Sequence, residues 1–253
     1  MQVLIGTSGW LYEHWNGKFY PEGMKDRDKL KFLSEHFDTV EINSTFYRMP
    51  PEKTFLHWHE AVGDKFIYCV KFGRYITRTK RLVLDDESKP FIREFLKRAR
   101  PLRGKLGAII IQLPPGLKFD TELLEKFLKF VKSYSKRIKL TLDLAIEFRN
   151  RSWFDEKTFD ILSKYNTAFV CADSSRYPCE KNVTADFMYI RLHGPRELFA
   201  SKYTDEELIE WHEFIKANDS LRRCYVYFNN DFYGYALDNA DFLLRLINKK
   251  INI

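Results

Sequence analysis

The sequence predicts a (β/α)8 barrel of the TIM type, and three observations carry that expectation. Eight short runs rich in β-branched and aromatic residues alternate with amphipathic stretches of about 10 to 15 residues, the pattern of parallel βα units. The chain has 253 residues, a length at which such a barrel closes as one unit. The turn after its first strand reads GTSGW, not the GxGxxG that a doubly wound nucleotide-binding sheet usually carries there.

The eight strands are expected over residues 3–6, 39–43, 66–72, 106–113, 139–146, 168–173, 187–193 and 224–229. Between them the helical period is clear. Ile92, Phe95, Leu96 and Ala99 form one stripe, Leu123, Leu124, Phe127, Leu128 and Val131 a second, and Leu237, Ala240, Leu243, Leu244 and Ile247 a third. The connection over residues 174–186 is too short, polar and Pro-containing for a full helix, so the sixth crossover helix is expected to be reduced to a loop. No repeat, linker or low-complexity tract interrupts the chain, and residues 1–253 are read as a single TIM-barrel domain.

Hydrophobic residues make up 45% and aromatics 16%, which excludes a chain that stays unfolded. No apolar run approaches the roughly 18 residues needed to span a bilayer, and the opening MQVLIGTSGW lacks the basic and apolar regions of a signal peptide, so a cytoplasmic location without membrane contact is expected. Cys69, Cys171 and Cys224 lie in apolar runs and are read as buried, reduced thiols; Cys179 is read as an ordinary loop thiol. Glutamine occurs only at Gln2 and Gln112 beside abundant Lys, Arg and Glu, a composition that leans towards a thermophilic source.

In a barrel strand alternate residues face the helices and the lumen. On the fifth strand Leu140, Leu142, Leu144 and Ile146 form the outward set, which leaves Thr141, Asp143, Ala145 and Glu147 inside. The same parity places Glu41 and Asn43, Lys71, Gln112, Asp173, Arg191 and His193, and Tyr227 with Asn229 inside. Asp143, the deepest of these, suits a satisfied internal hydrogen-bonding pair as well as a ligand contact. So many inward charges mark the C-terminal face, where barrel enzymes keep their active sites. The following loops carry Trp10, Tyr12, Trp15, Phe19, Tyr20, Phe46, Tyr47 and Trp153. Of these, Trp10 and Trp153 are expected to stack against a flat ligand, while Phe19, Tyr20 and Phe46 serve equally well to seal the barrel mouth.

The net charge of +7 is not spread evenly. Residues 71–105 hold 12 basic and 4 acidic side chains, a net of +8 that leaves the remainder at −1. Lys89, Arg93 and Lys97 fall on one face of the third helix and read as a solvated face. Arg74, Arg78, Lys80 and Arg81 instead form a lip at the mouth, suited to a phosphate or a nucleic-acid backbone.

Several motifs together resemble the YecE-like family, a domain of unknown function, along nearly the whole chain. They are GTSGW with Thr7 and Ser8, Tyr12, Trp15, Gly17 and FYP; EINSTFYRMP over residues 41–50; Lys71; QLPP over 112–115; EFR over 147–149 with Trp153; RLHG over 191–194; and FNN over 228–230. The resemblance implies a TIM-like barrel with a site built from these motifs and brings no established reaction. The chain departs from the family where a Thr-His pair is expected and Thr77-Arg78 stands, and where EFR is often followed by His and Asn150 stands. His193 is then the one histidine expected at the site.

The first functional reading is a cofactor-free enzyme acting on an anionic sugar, nucleotide or nucleic-acid ligand. Glu147 would be the acid/base, Lys71 and Arg191 would hold the anion, and His193 would be a second proton carrier. Asn43, Gln112 and Asn229 would orient hydroxyls, with Arg149 against Glu147 or the ligand. The alternatives are a divalent-metal hydrolase resembling the endonuclease IV and xylose isomerase barrels, with Glu41, Glu147, Asp173 and His193 as ligands; a glycosidase-like pair of Glu41 and Glu147; and a non-catalytic nucleic-acid binder.

Overall fold

In a computed structural model, which describes residues 1–249, eight parallel strands close into a barrel in the order β1 to β8. They are β1 (Gln2–Thr7), β2 (Thr39–Ile42), β3 (Ile67–Lys71), β4 (Leu106–Gln112), β5 (Asp143–Glu147), β6 (Thr167–Asp173), β7 (Phe187–Leu192) and β8 (Arg223–Phe228). The helices are α1 (Asp26–Ser34), the single turn α2 (Ser44–Tyr47), α3 (Glu52–Ala61), α4 (Ser88–Ala99), α5 (Thr121–Arg137), α6 (Glu156–Lys164), α7 (Asp205–Lys216) and α8 (Tyr235–Ile247). No helix joins β6 to β7, as the polar stretch between them predicts.

The apolar stripes become the packed faces. Ile92, Phe95, Leu96 and Ala99 of α4 are buried, as are Leu124, Phe127, Leu128 and Val131 of α5 and Ala240 and Leu243 of α8. Side chains fix where helices begin. Asp120 accepts from the Leu123 amide and Asp155 from that of Lys157, and Thr204 forms a reciprocal capping box with Glu207 at the start of α7. Gly6 is required by packing: a Cβ there would lie 2.0 Å from the Thr39 carbonyl oxygen of the neighbouring strand.

β5 starts later than the sequence suggests. Lys139 takes a left-handed backbone (φ +53°) and its amide bonds the Lys136 carbonyl, so residues 139–142 close α5 instead of extending the strand.

The described residues gather into two compact units. The first comprises Met1–Glu41, Cys171–Lys181 and the chain from Asp186 onward; the second comprises Ile42–Val170 and Asn182–Ala185. In the second, Thr184 does part of the missing helix's work: its Oγ accepts from the Phe169 amide (2.8 Å) and donates to the Thr167 carbonyl (2.7 Å), fastening the long connection to β6. Among the described residues, no helix is long and apolar enough to cross a membrane.

Candidate functional site

In the second unit β4 and β5 end in register, Gln112 opposite Glu147. The Glu147 side chain is 1% exposed and fully engaged on one side. The Gln112 amide nitrogen lies 2.9 Å from each carboxylate oxygen, and Arg149 Nε donates to Oε1 at 2.7 Å. Parity placed Glu147 and Gln112 together, and EFR supplies Arg149 two residues on. The guanidinium and the amide together fix the orientation of the Glu147 carboxyl group.

Lys71 ends β3 with its Nζ 4.6 Å from the centroid of the Phe46 ring, and the Arg78 guanidinium stands over the same ring at 5.1 Å. Thr45 of α2 donates to the Lys71 carbonyl at 2.6 Å and so ties this loop to the strand end. Residues Tyr75–Thr79 form a π-helical turn that carries Arg78, a conformation often found at functional sites. Phe46 is buried and thus serves as a platform for cations, while Tyr47 is 70% exposed. Arg74 and Arg81 are exposed.

Lys80 leaves the proposed lip. It pairs with Asp85 at 3.0 Å and with Glu87, so two carboxylates of its own loop neutralise it. Arg93 likewise departs from a plain solvated face, since its guanidinium lies over the rings of Phe130 and Tyr134. Trp153 is not a ligand contact: it is 0% exposed, stacks on Phe148 and donates its indole N–H to the Leu117 carbonyl at 2.7 Å. It fastens two loops together. Asp143 opens β5 and therefore stands at the strand's N-terminal end, away from the face that Glu147 reaches.

In the first unit Glu41 and Arg191 close on each other. Arg191 Nη2 lies 2.7 Å from Glu41 Oε1, which also accepts from Ser8 Oγ at 2.9 Å, while Tyr189 donates to Oε2 at 2.7 Å. Both charges are essentially inaccessible, at 1% and 0% exposure. Parity put them inside correctly, but their partners are each other. Arg191 is thereby paired with a carboxylate that also holds Ser8 and Tyr189, so Glu41 and Arg191 form one buried network. Tyr227 is also internal, its hydroxyl 2.6 Å from that of Thr39. Thr7 donates to the Gly9 carbonyl and Tyr12 to that of Ser8, so both shape the GTSGW turn, and Tyr20 bonds the Trp10 carbonyl. Burial, with the Asp231 and Glu41 carboxylates, keeps the Tyr12 hydroxyl protonated well above its ordinary range. His193 is buried, with Nδ1 3.1 Å from the Asn229 amide nitrogen.

Asp173 turns the other way from the expectation. Phe169, four residues back on the same strand, packs on Phe154 and Phe159 of the outer layer, so the same parity sends Asp173 outward, where it bonds Tyr203 and, on α7, Trp211. Burial raises its carboxyl above the ordinary value. The metal set of Glu41, Glu147, Asp173 and His193 loses its geometry with it. Among the described residues no three His, Cys, Asp or Glu side chains form a group able to hold a metal ion. Burial pushes the Cys179 thiol up to about 12, which fits an inert thiol.

Two residues escaped sequence reasoning. His14 and Asp231, in the loops after β1 and β8, meet at 2.9 Å, and Asp231 also accepts from Trp15 Nε1. His193 is therefore not the one imidazole with a partner in this unit. The signal was available in principle, because closure of the barrel makes β1 and β8 neighbours and brings their following loops together.

The fold defines a class, the TIM-like (β/α)8 barrels, here with mutually paired charges buried at strand ends. The family described as "Protein of unknown function DUF72" matches residues 4–252, and the chain belongs to that family. It is 26% identical to UPF0759 protein YunF of Bacillus subtilis, over 97% of this chain and 95% of that protein. It is 35% identical to UPF0759 protein YecE of Escherichia coli over 112 residues, 44% of this chain and 38% of that protein. A DUF72 family protein from Thermotoga maritima superposes with a TM-score of 0.83 at 27% identity, covering 98% of this chain and 100% of the other.

Proposed function

We propose that the protein is an enzyme acting in the cytoplasm on a small anionic ligand, a phosphorylated sugar or nucleotide, at the strand ends of the second unit. Glu147 is its acid/base and Lys71, with Arg78 beside it, holds the anion. The observation that carries this reading is the environment of Glu147: a buried carboxyl group at the end of β5, oriented by Gln112 and paired with Arg149. In this role Glu147 accepts a proton as a base and becomes neutral, and the adjacent guanidinium favours its return to the carboxylate when the proton is passed on. Lys71 and Arg78 share one aromatic platform, which fixes two positive groups with little loss of side-chain freedom on binding. Pairing of Lys80 with Asp85 and Glu87 removes one cation from the lip and favours a compact anion over an extended nucleic-acid backbone.

The test is a screen of sugar phosphates and nucleotides with wild type and Glu147→Gln. Turnover present in wild type is expected to fall by about 10²- to 10⁴-fold in the variant, the range that loss of a general acid/base produces. Turnover that survives the change removes Glu147 from this role.

A further inference from the structure

The His14 and Asp231 pair opens onto a groove that the Glu147 chemistry does not use. The groove has a volume of about 480 Å³ and is walled by the aromatic rings of Trp15, Phe19, Phe37 and Tyr233, with Asp238 and Asp241 also lining it. Asp231 is 5% exposed and both its oxygens accept from Trp15 Nε1, at 3.2 and 3.0 Å, while its Oδ2 faces His14 Nε2 at 2.9 Å. A carboxylate acceptor at Nε2 makes that nitrogen the N–H donor and leaves Nδ1 with its lone pair. Nδ1 makes no hydrogen bond among the described residues, and the imidazole keeps 36% of its surface exposed. Its orientation is fixed on other sides as well. The Tyr12 ring lies 5.5 Å away, and Gly234, at φ +84°, lets the backbone pass so near that a Cβ would stand 3.5 Å from His14 Cδ2.

The charges along the groove balance. Asp238 pairs with Lys202 at 3.1 Å and Asp241 with Arg245 at 2.9 Å, and Lys18 also lines the groove. With Asp231, three carboxylates face three cations, so an anion would meet no surplus of positive charge, whereas a neutral polyol finds acceptors. Both carboxylates remain more than half exposed and retain lone pairs for hydroxyl donors. Tyr233, 58% exposed, offers a ring face at the edge of the groove.

We infer that this groove is a second ligand site, one that takes a neutral, hydroxyl-bearing ring of the sugar class. His14 Nδ1 accepts a ligand hydroxyl, the carboxylates of Asp238 and Asp241 accept others, and Tyr233 stacks on the ring's C–H face. Asp231 is a positioning residue, acting only through the tautomer and orientation of His14. The site shares no residue with the Glu147 cluster, so either proposal can fail while the other stands.

The experiment is an NMR titration of the full chain, following the His14 imidazole nitrogens and the Tyr233 ring, with glucose, N-acetylglucosamine and their β-1,4-linked disaccharides, and with adenosine and inorganic phosphate as contrasting probes. At least one sugar is expected to shift both sets of signals saturably. Affinity is expected to fall about tenfold or more, some 1.4 kcal/mol, in His14→Gln and in Tyr233→Ala. Because Tyr233 is exposed, the second variant keeps the test valid if the first does not fold. Asp231→Asn is expected to abolish the single Nε2–H tautomer in the nitrogen spectrum, which a merely structural role would leave in place. Shifts from adenosine or phosphate alone, shifts from no probe, or sugar binding unchanged in Tyr233→Ala would each overturn the inference.

Discussion

A buried ion pair such as Glu41 with Arg191 is worth little as net stability but costs much to break, because the remaining charge is left in a medium that cannot solvate it. Glu41→Gln is therefore expected to lower the free energy of unfolding by about 3 to 5 kcal/mol, while Glu41→Gln combined with Arg191→Met recovers most of that loss. Urea denaturation of the two variants checks both statements; equal losses in each would show that Arg191 is not waiting on Glu41. The inward direction of this pair was legible in the alternation of VEI and YIRL, but the pairing was not, since parity reports a side chain's direction and not its partner. Asp173 shows the opposite limit. β6 is apolar or small at every position but the last, so polarity gives no phase; the phase is set by volume, with Phe169 needing the space of the outer layer. For Trp153 the nearness of EFR pointed to the rim, yet an indole that finds a carbonyl acceptor and a stacking partner in the neighbouring loop is a packing residue.

Among the elements, the link between β6 and β7 shows how a barrel tolerates a missing helix. Thr184 supplies the bonds that keep the connection against the strand, and its hydroxyl both accepts and donates, so a valine of the same shape strands a buried amide and a buried carbonyl at once. Thr184→Val is expected to destabilise the fold by roughly 1 to 3 kcal/mol and to speed hydrogen exchange at the Phe169 amide. Slow exchange at that amide in the variant would mean the connection is held by something else. The absence of this helix was legible because length and composition both exclude it. The start of β5 was not legible: Leu140 and Leu142 continue the strand's alternation, and only the left-handed turn at Lys139 ends the pattern. The π-helical turn after β3 likewise has no sequence signature, although it is what sets Arg78 over Phe46.

On the scale of the whole molecule, the net charge of +7 separates into cations that are spent and cations that face outward. Lys80 is spent on Asp85 and Glu87, and Arg191 on Glu41. Charge counting assigned these to a ligand because a sequence lists charges without their neighbours. Lys71 and Arg78 share the Phe46 ring at the strand end, and the reading of the barrel as an enzyme for phosphorylated ligands depends on them. The most direct measurement is calorimetric titration of wild type, Lys71→Met and Lys80→Met with a series of sugar phosphates. Expected is binding by wild type, an affinity reduced about tenfold or more in Lys71→Met, and near-wild-type affinity in Lys80→Met. Equal binding by wild type and Lys71→Met would contradict the account, as would loss confined to Lys80→Met.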